Sequence, residues 1–448
     1  MKLFIAGAGE VGTHLAKLLS ADNHDIILMD SDPERIEFAY DNSFELMPYV
    51  GDPTSIEDLR RAGAGRADLF VSVTPEESMN MIACMLADTL GAKKTVARIN
   101  NNEYLLPANS EFFAHRGVDV MIYPERLAAQ EIVSGIKLPW TRQYWSLFND
   151  QLNLVAVKMR DNAPLCGNQL KELSELEEKY FHIVAIKRKQ KTIIPAGSDS
   201  ILSGDLVFFT CKPEHLDEVR KYCGKESVEV NKVIIMGGGR IAVRTAEYLP
   251  SDIRVKIIEQ DLDKCRKLSE IVKDNVLVIH GDARDPELLK DEGIASTEAF
   301  LALTNNAESN MLAALTAKKF GVFRTVAEIE NIAYLEMAEE MEIGNLINKK
   351  LIAAGTIFRH LLNIDVNNVK CLTVGKADVF EIVARKGSKV TKKLVKDLKL
   401  PKGITFGGLL RQRDARLITG DEQIQEGDVV MVFSCNESSV DRVMDFFE

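Results

Sequence analysis

The sequence predicts an α/β protein of four domains, in which two doubly wound, parallel-sheet domains are each followed by a small α+β domain. Three observations predict this. The chain is written twice, each copy opens on a glycine-rich turn between a strand and a helix, and short apolar runs alternate with amphipathic stretches inside each copy. "LFIAGAGEVGTHLAKLL" is answered by "VIIMGGGRIAVRTAEYL", with Gly7 matching Gly237 at an offset of 230 residues. The same offset carries Gly51-Asp52 onto Gly281-Asp282, "VTPEESMNMIACMLA" onto "LTNNAESNMLAALTA", and Tyr104 onto Tyr334. Two long copies are not the three or more short units of a solenoid, so each must form its own core.

Within a copy, apolar runs at Leu3–Ala6, Asp25–Met29, Leu69–Val73 and Thr95–Ile99 are short and bounded by turn residues. The amphipathic stretches between them have the length of crossover helices, about 10–15 residues, as a parallel sheet requires. Doubly wound domains are therefore expected over residues 1–138 and 230–364. Residues 139–225 and 365–448 have a different character. "FHIVAIKRKQKTIIPAGSDSILSGDLVFFTC" and "TFGGLLRQRDARLITGDEQIQEGDVVMVFSC" read as strands broken by turns, and make the two small domains. Hairpin turns are expected near Lys189-Gln190 and Gly204-Asp205, the latter answered by Gly427-Asp428.

The composition narrows the function. At 448 residues the chain exceeds one ordinary core. Its hydrophobic fraction of 46% and charged fraction of 27% read as soluble and globular. A net charge of −11 argues against a nucleic-acid partner, which needs a basic face, and against docking on anionic lipid by charge. Seven cysteines show no C-x-x-C spacing, which fits a reducing cytosol. No uncharged apolar run approaches the roughly 18 residues of a spanning helix, so direct lipid insertion is not expected. "MKLFIAGAG" leads straight into the glycine motif and reads as a first strand, not a signal peptide.

In the first copy Gly7, Gly9 and Gly12 sit after a strand and before a helix, where each has a role. The first makes the tight turn, the second lets the backbone approach a pyrophosphate, and the third lets helix and strand pack closely. The helix N-terminus, at Glu10 and Val11, supplies amides and a positive dipole end. Asp30 closes the second strand where a carboxylate accepts hydrogen bonds from a ribose diol, with Ser31 beside it. An acid there repels a 2′-phosphate, which favours NAD(H) over its phosphorylated forms; Arg35 softens that preference unless it is simply a solvated helix residue. The second copy carries Gly237, Gly239, Arg240, Ile241 and Ala242, with Glu259 in the ribose position, and is the weaker match.

Signs of chemistry are few. A dehydrogenase needs a proton donor or acceptor near the nicotinamide. No Tyr-x-x-x-Lys pair occurs, and the histidines do not recur between copies. His14 answers Arg244 and is expected on the surface of the first helix. No metal-ligand spacing appears, and the acidic pairs Asp30–Asp32 and Glu76-Glu77 read as a ribose site and a helix start. Trp140 and Trp145, the only tryptophans, lie in the segment joining the first large and small domains, and read equally as core or as a hinge or subunit contact. The cofactor is therefore expected to be sensed, not consumed.

The motifs "FIAGAGEVG", "VTPEESMNM", "VARINNNEY", "IIPAGSDSILSGDLVFF", "GDARDPELL", "LTNNAESNM" and "IQEGDVVMVF", in this order and twice over, resemble the TrkA family across essentially the whole chain. Its members are cytosolic regulatory subunits of Trk potassium uptake systems. The resemblance implies two tandem RCK units, each a Rossmann-like domain followed by a smaller C-terminal domain, without enzymatic activity. It implies a homo-oligomer, usually a tetramer, forming a gating ring peripheral to the inner face of the cell membrane, beneath an integral-membrane potassium-translocating subunit. NAD(H), and ATP or ADP, are the implied ligands. On matching positions Gly51, Asp52 and Thr74, with Asp282 and Thr304 in the second copy, line the adenine and nicotinamide sides, and Arg98 meets phosphate oxygens. Glu328 stands where the first copy has Arg98, so the first site is expected to bind phosphate more strongly, triphosphates most of all, unless Glu328 turns to solvent. Two other readings stay open: an NAD-dependent oxidoreductase, and an ancillary subunit of another cation channel or exchanger such as the related Ktr system.

Overall fold

A computed structural model of the chain describes residues 1–20, 24–40, 46–189, 191–361, 366–372, 377–435 and 440–447. The first parallel domain runs β1 (Lys2–Ala6), α1 (Glu10–Ser20), β2 (Asp25–Asp30), α2 (Pro33–Tyr40), β3 (Met47–Val50), α3 (Ile56–Ala62), β4 (Leu69–Ser72), α4 (Glu77–Leu90), β5 (Thr95–Arg98), α5 (Pro107–Ala114), β6 (Val120–Ile122) and α6 (Pro124–Lys137). Its sheet is parallel throughout, with the order β3-β2-β1-β4-β5-β6, so the strand order reverses between β1 and β4. The inner strands are apolar on both faces because helices cover both. Leu3, Phe4, Ile5 and Ala6 of β1 and Leu69, Phe70 and Val71 of β4 are all buried.

The first small domain contains β7 (Gln143–Leu147), β8 (Leu152–Lys158), α7 (Ser174–Lys179), β9 (His182–Arg188), β10 (Lys191–Ile193), β11 (Leu206–Cys211) and α8 (Leu216–Tyr222). The second parallel domain repeats the first with β12 (Lys232–Met236), α9 (Arg240–Tyr248), β13 (Arg254–Glu259), α10 (Leu262–Ile271), β14 (Val276–His280), α11 (Pro286–Asp291), β15 (Ala299–Ala302), α12 (Ala307–Lys319), β16 (Arg324–Glu328), α13 (Ala333–Glu340), β17 (Asn345–Ile347) and α14 (Lys349–Leu361). Its order, β14-β13-β12-β15-β16-β17, is the same. The second small domain holds β18 (Val366–Leu372), β19 (Ala377–Val383), β20 (Ile404–Arg411), β21 (Asp414–Arg416), β22 (Val429–Ser434) and α15 (Val440–Phe447). The small sheets, β10-β9-β11-β8-β7 and β18-β19-β22-β20-β21, are likewise copies of one another. The turn expected at Gly204-Asp205 precedes β11. Of the hairpin turn near Lys189-Gln190, Gln190 lies outside the described residues, while β9 and β10 pair antiparallel on either side of it.

Contacts divide the chain into two compact units, Met1–Leu127 with Lys349–Cys371, and Ala128–Asn348 with Leu372–Glu448. The crossover helices are thus exchanged: α14, which follows the second parallel sheet in sequence, packs against α1 of the first. In the other unit the two small domains share one core, where Trp145, Leu152, Leu154 and Phe208 meet Val379, Met431 and Phe433. Polar bonds join them too. The Glu381 carboxylate accepts the Phe148 N–H at 3.1 Å, and Thr210 Oγ1 donates to the Gly407 carbonyl at 2.7 Å. Trp145 therefore serves the core, and Trp140 packs against the apolar cluster on the other face of the first small sheet. Cys84, Cys211, Cys223 and Cys265 are buried as small apolar residues, and burial pushes the Cys211 thiol up to about 12.

His14 is not the surface residue expected from its place on α1. Burial pushes its imidazole down from 6.5 to about 4, with Lys17 adding to the effect, and burial does the same to His182. Both are neutral in the folded chain at pH 6, whereas the unfolded chain takes up their protons near 6.5. Stability from these groups is complete above that value and is lost as the pH falls towards about 4. Melting temperatures measured across this window should fall with acid, and His14→Gln should flatten the fall. An unchanged slope in that variant would show that His14 takes up its proton equally readily in the folded and unfolded chains.

Candidate functional site

β1 ends at Ala6 and α1 begins at Glu10, so Gly7, Ala8 and Gly9 form the turn between them. Gly7 has φ +109°, a left-handed conformation that favours glycine, and a Cβ there would lie 3.0 Å from the Thr74 nitrogen. At Gly12 a Cβ would lie 1.8 Å from the Gly7 carbonyl oxygen, so the first turn of α1 rests directly on the loop. A Cβ on Gly9 would meet nothing within 4 Å. The backbone there is open to approach, as a pyrophosphate requires. Glu10 is exposed and pairs with Lys350 of α14, while Val11 is buried, so its amide alone faces a ligand's needs.

Asp30, 7% exposed at the end of β2, is pinned by two amides. Its Oδ2 accepts the Ala8 N–H at 2.7 Å and its Oδ1 the Asp32 N–H at 3.0 Å. A carboxylate offers about four acceptor positions, so capacity for a ribose hydroxyl remains. Arg35 does not point simply to solvent: its Nη1 is 3.8 Å from Asp30 and its Nε 3.4 Å from Asp32. Ser31 and Asp52 are exposed, and Gly51 donates its N–H to the Asp30 carbonyl. Asp52 Oδ1 accepts from the N–H and hydroxyl of Thr54, which commits that oxygen to the local turn.

The residue that joins these pieces escaped the sequence reading. Asn80 on α4 is fully buried and clamps the ends of β4 and β5 together. Its Oδ1 accepts from Ser72 Oγ, Thr74 N–H and Thr74 Oγ1 at 2.8–2.9 Å, and its Nδ2 donates to the carbonyls of Thr74 and Arg98, both at 2.9 Å. Thr74 and Arg98, predicted site residues far apart in sequence, are thereby set side by side. Asn310 repeats the arrangement, accepting from Thr304 and donating to the carbonyls of Thr304 and Glu328. The repeat did hold the signal, since Asn80 and Asn310 stand at the same 230-residue offset in "ESMNM" and "AESNM".

In the second copy Gly237, Gly239, Glu259, Asp282 and Thr304 line one cleft of about 420 Å³. Glu259 Oε2 accepts the Gly238 N–H at 2.8 Å, but Lys264 Nζ also reaches that oxygen at 2.6 Å. Burial raises the Glu259 carboxyl, and Lys264 with the amides of Gly238 and Asp261 outweighs it, leaving the group below its ordinary value. Asp282 is held bidentately by Arg284, which brings it down to about 2. Arg240 is exposed at the start of α9, while Ile241 and Ala242 are buried and offer only their amides. The second cleft is thus lined by Lys264 and Arg284 where the first copy has Arg35 and Thr54, and Arg240 takes the place of Glu10 at the helix start.

Arg98 closes β5 half-buried, and its Nε has no hydrogen-bond partner among the described residues. Glu328 closes β16 at 2% exposure, so it does not turn to solvent. Glu77 is a structural acid: one of its oxygens accepts the N–H groups of Asn100 and Asn101 at 2.6 and 2.9 Å. Among the described residues no group of three or more His, Cys, Asp or Glu could hold a metal, and no helix is long and apolar enough to cross a membrane.

Comparison with known proteins agrees with this architecture at every level. The TrkA-N domain model matches residues 3–124 and 233–349, and the TrkA-C domain model matches 154–224 and 379–448. The chain is 33% identical to the Trk system potassium uptake protein TrkA of Haemophilus influenzae, over all of this chain and 99% of that protein. It is 28% identical to TrkA homolog 1 of Methanosarcina mazei over the full length of both. Among solved structures, the GsuK RCK domain aligns with a TM-score of 0.61 at 15% identity, covering 99% of this chain and 94% of that one. A GsuK channel solved bound to NAD aligns equally well over 98% of this chain and 78% of its own. With two TrkA-N and two TrkA-C domains in alternation and full-length identity to curated relatives, the chain belongs to the TrkA family of Trk potassium uptake proteins.

Proposed function

We propose that this chain is the nucleotide-sensing regulatory subunit of a Trk-type potassium uptake system. The observation that carries the reading is the repeated arrangement in the two parallel domains, each with a glycine turn, a pinned carboxylate and a buried asparagine clamp. In the first cleft Gly7, Gly9 and Gly12 with the amides of Glu10 and Val11 hold the phosphates, Asp30 holds a ribose, Arg98 adds charge, and Ser31, Arg35, Gly51, Asp52 and Thr74 complete the wall. In the second, Gly237, Gly239, Arg240, Ile241, Ala242, Glu259, Asp282 and Thr304 act in the same way. NAD(H) is the ligand favoured by the two acids, and ATP or ADP fit the same turn.

A sensor shifts a conformational equilibrium only by its differential affinity for the two states. The clamps at Asn80 and Asn310 supply the link, because each ties the cleft floor to the next strand. The assembly is a homo-oligomer, a tetramer by family resemblance, that rings an integral-membrane potassium-translocating subunit from the cytoplasmic side. Purifying the chain from its native membrane should bring down a multi-span membrane protein, and NADH should bind without being consumed. Steady NADH turnover with a carbonyl substrate would replace this reading with an oxidoreductase.

A further inference from the structure

Ligands of open α/β sheets sit outside the carboxyl ends of the strands, as the cleft at Gly237 does. Arg324 is the first residue of β16 and marks the opposite end of the second parallel sheet. A cavity of about 430 Å³ opens there. Its walls are the segment Pro139–Arg142 joining the first large and small domains, the end of β8, the turn after α8, and the stretches that precede β16 and β17.

Its charge is unlike that of the molecule. In a chain of net charge −11, six cations (Arg142, Lys158, Arg160, Lys225, Lys318 and Arg324) face only two acids, Glu226 and Glu342. Lys158 Nζ stands 3.9 Å from the Glu342 carboxylate, and Lys318 donates to the Glu342 main-chain carbonyl instead. Arg324 is 4% exposed. Its Nη1 donates to the carbonyls of Pro139 and Thr141, while its Nε and Nη2 have no partner among the described residues. Buried donors without acceptors are rare and costly. Burial holds Arg142, Lys225, Lys318 and Arg324 below their ordinary values, and repulsion between the cations adds to it, with Glu342 offsetting part of the effect at Arg142 and Lys318.

We propose that this cavity is a second kind of ligand site, which binds a phosphorylated small molecule whose oxygens satisfy Arg324 and neutralise the surrounding cations. Phosphate oxygens match both needs, since they accept several charge-assisted hydrogen bonds and carry more than one negative charge. The volume suits a molecule larger than a single inorganic ion. All the walls lie in one compact unit and come from the first small domain, its linker and the second parallel domain. Occupancy would therefore favour the arrangement in which these three meet.

The test uses the full chain carrying both Gly9→Asp and Gly239→Asp, which silences the two clefts. Calorimetry with pyrophosphate, and separately with ATP, should then show one remaining site per chain, weakened by added salt. Lys225→Gln with Arg160→Gln, both away from the buried contacts of Arg324, should weaken that site at least tenfold without lowering the melting temperature. Arg324→Met should abolish it, and the double glutamine variant stands in if the methionine variant does not fold. Absence of binding at millimolar pyrophosphate and ATP would overturn the proposal. So would binding unchanged by the glutamines, or equal weak binding of pyrophosphate and sulfate, which would mean an adventitious ion only.

Discussion

Gly9→Asp is expected to lower NADH affinity at least tenfold more than Gly239→Asp does, because the two clefts are not equally ready for a ribose. Each substitution fits the empty fold, since a Cβ meets nothing within 4 Å at Gly9 and only the Leu303 carbonyl at 3.7 Å at Gly239. Each puts a carboxylate where a pyrophosphate must come. Two like charges about 5 Å apart at an effective dielectric near 20 repel by roughly 3 kcal/mol, about a hundredfold in affinity. What remains in each variant is the other cleft. After Gly239→Asp the ligand meets Asp30, whose nearest cation stands 3.8 Å away. After Gly9→Asp it meets Glu259, whose Oε2 is already held by Lys264 at 2.6 Å. A ribose diol must share or displace that lysine, and about 1.4 kcal/mol of lost bonding is a tenfold weakening.

The same geometry revises the expectation for ATP. Arg98 against Glu328 alone favours the first cleft for a triphosphate. Lys264 and Arg284 in the second, with Arg240 at its helix start, oppose this difference, so the preference should be smaller for ATP than for NADH. Calorimetry on the two variants with both ligands measures it, and equal residual NADH affinity would refute the inequality of the clefts.

Asn80→Leu should destabilise the first unit by about 3 kcal/mol or more and abolish nucleotide binding in the first cleft. The leucine is close in size, so the effect isolates the carboxamide. It strands the Thr74 N–H and removes a partner from the Thr74 and Arg98 carbonyls, and each buried group left unsatisfied costs about 1–3 kcal/mol. It also frees Thr74 and Arg98 from their common anchor. Asn80→Asp keeps the acceptor, loses both donors and buries a charge, and should be no milder. Asn310→Leu should do the same to the second cleft and leave the first intact. Thermal melts with NADH titrations would show this; an Asn80→Leu chain with wild-type stability and affinity would sink the clamp.

The four-domain order, the two parallel sheets, the glycine turns and the acids at the strand ends were legible because each depends on local sequence. A strand buried on both faces must be an apolar run, and a glycine is needed wherever a Cβ would strike the chain, as at Gly12. The repeat multiplied these signals, since one weak motif seen twice at one offset is a constraint on both. The short strands β3 and β6 left no such mark. β3 is half-exposed at the sheet edge, as "MPYV" with an internal proline, and β6 has only three residues.

Tertiary structure alone decided the rest. The sequence cannot say which sheet a crossover helix packs on, and α14 packs with the first parallel domain although it follows the second. Trp145 read equally as hinge or core until the two small sheets closed on it. Asn80 looks like any polar residue on a helix; only the pairing of β4 with β5 brings Thr74 and Arg98 within reach of its amide. Arg324 likewise reads as a charge at the start of a strand. It becomes a buried, half-satisfied guanidinium only because the Pro139–Arg142 segment folds over it. The division has one physical reason: burial patterns and backbone conformation are set by neighbours in sequence, whereas hydrogen-bond partners and charge clusters are set by neighbours in space.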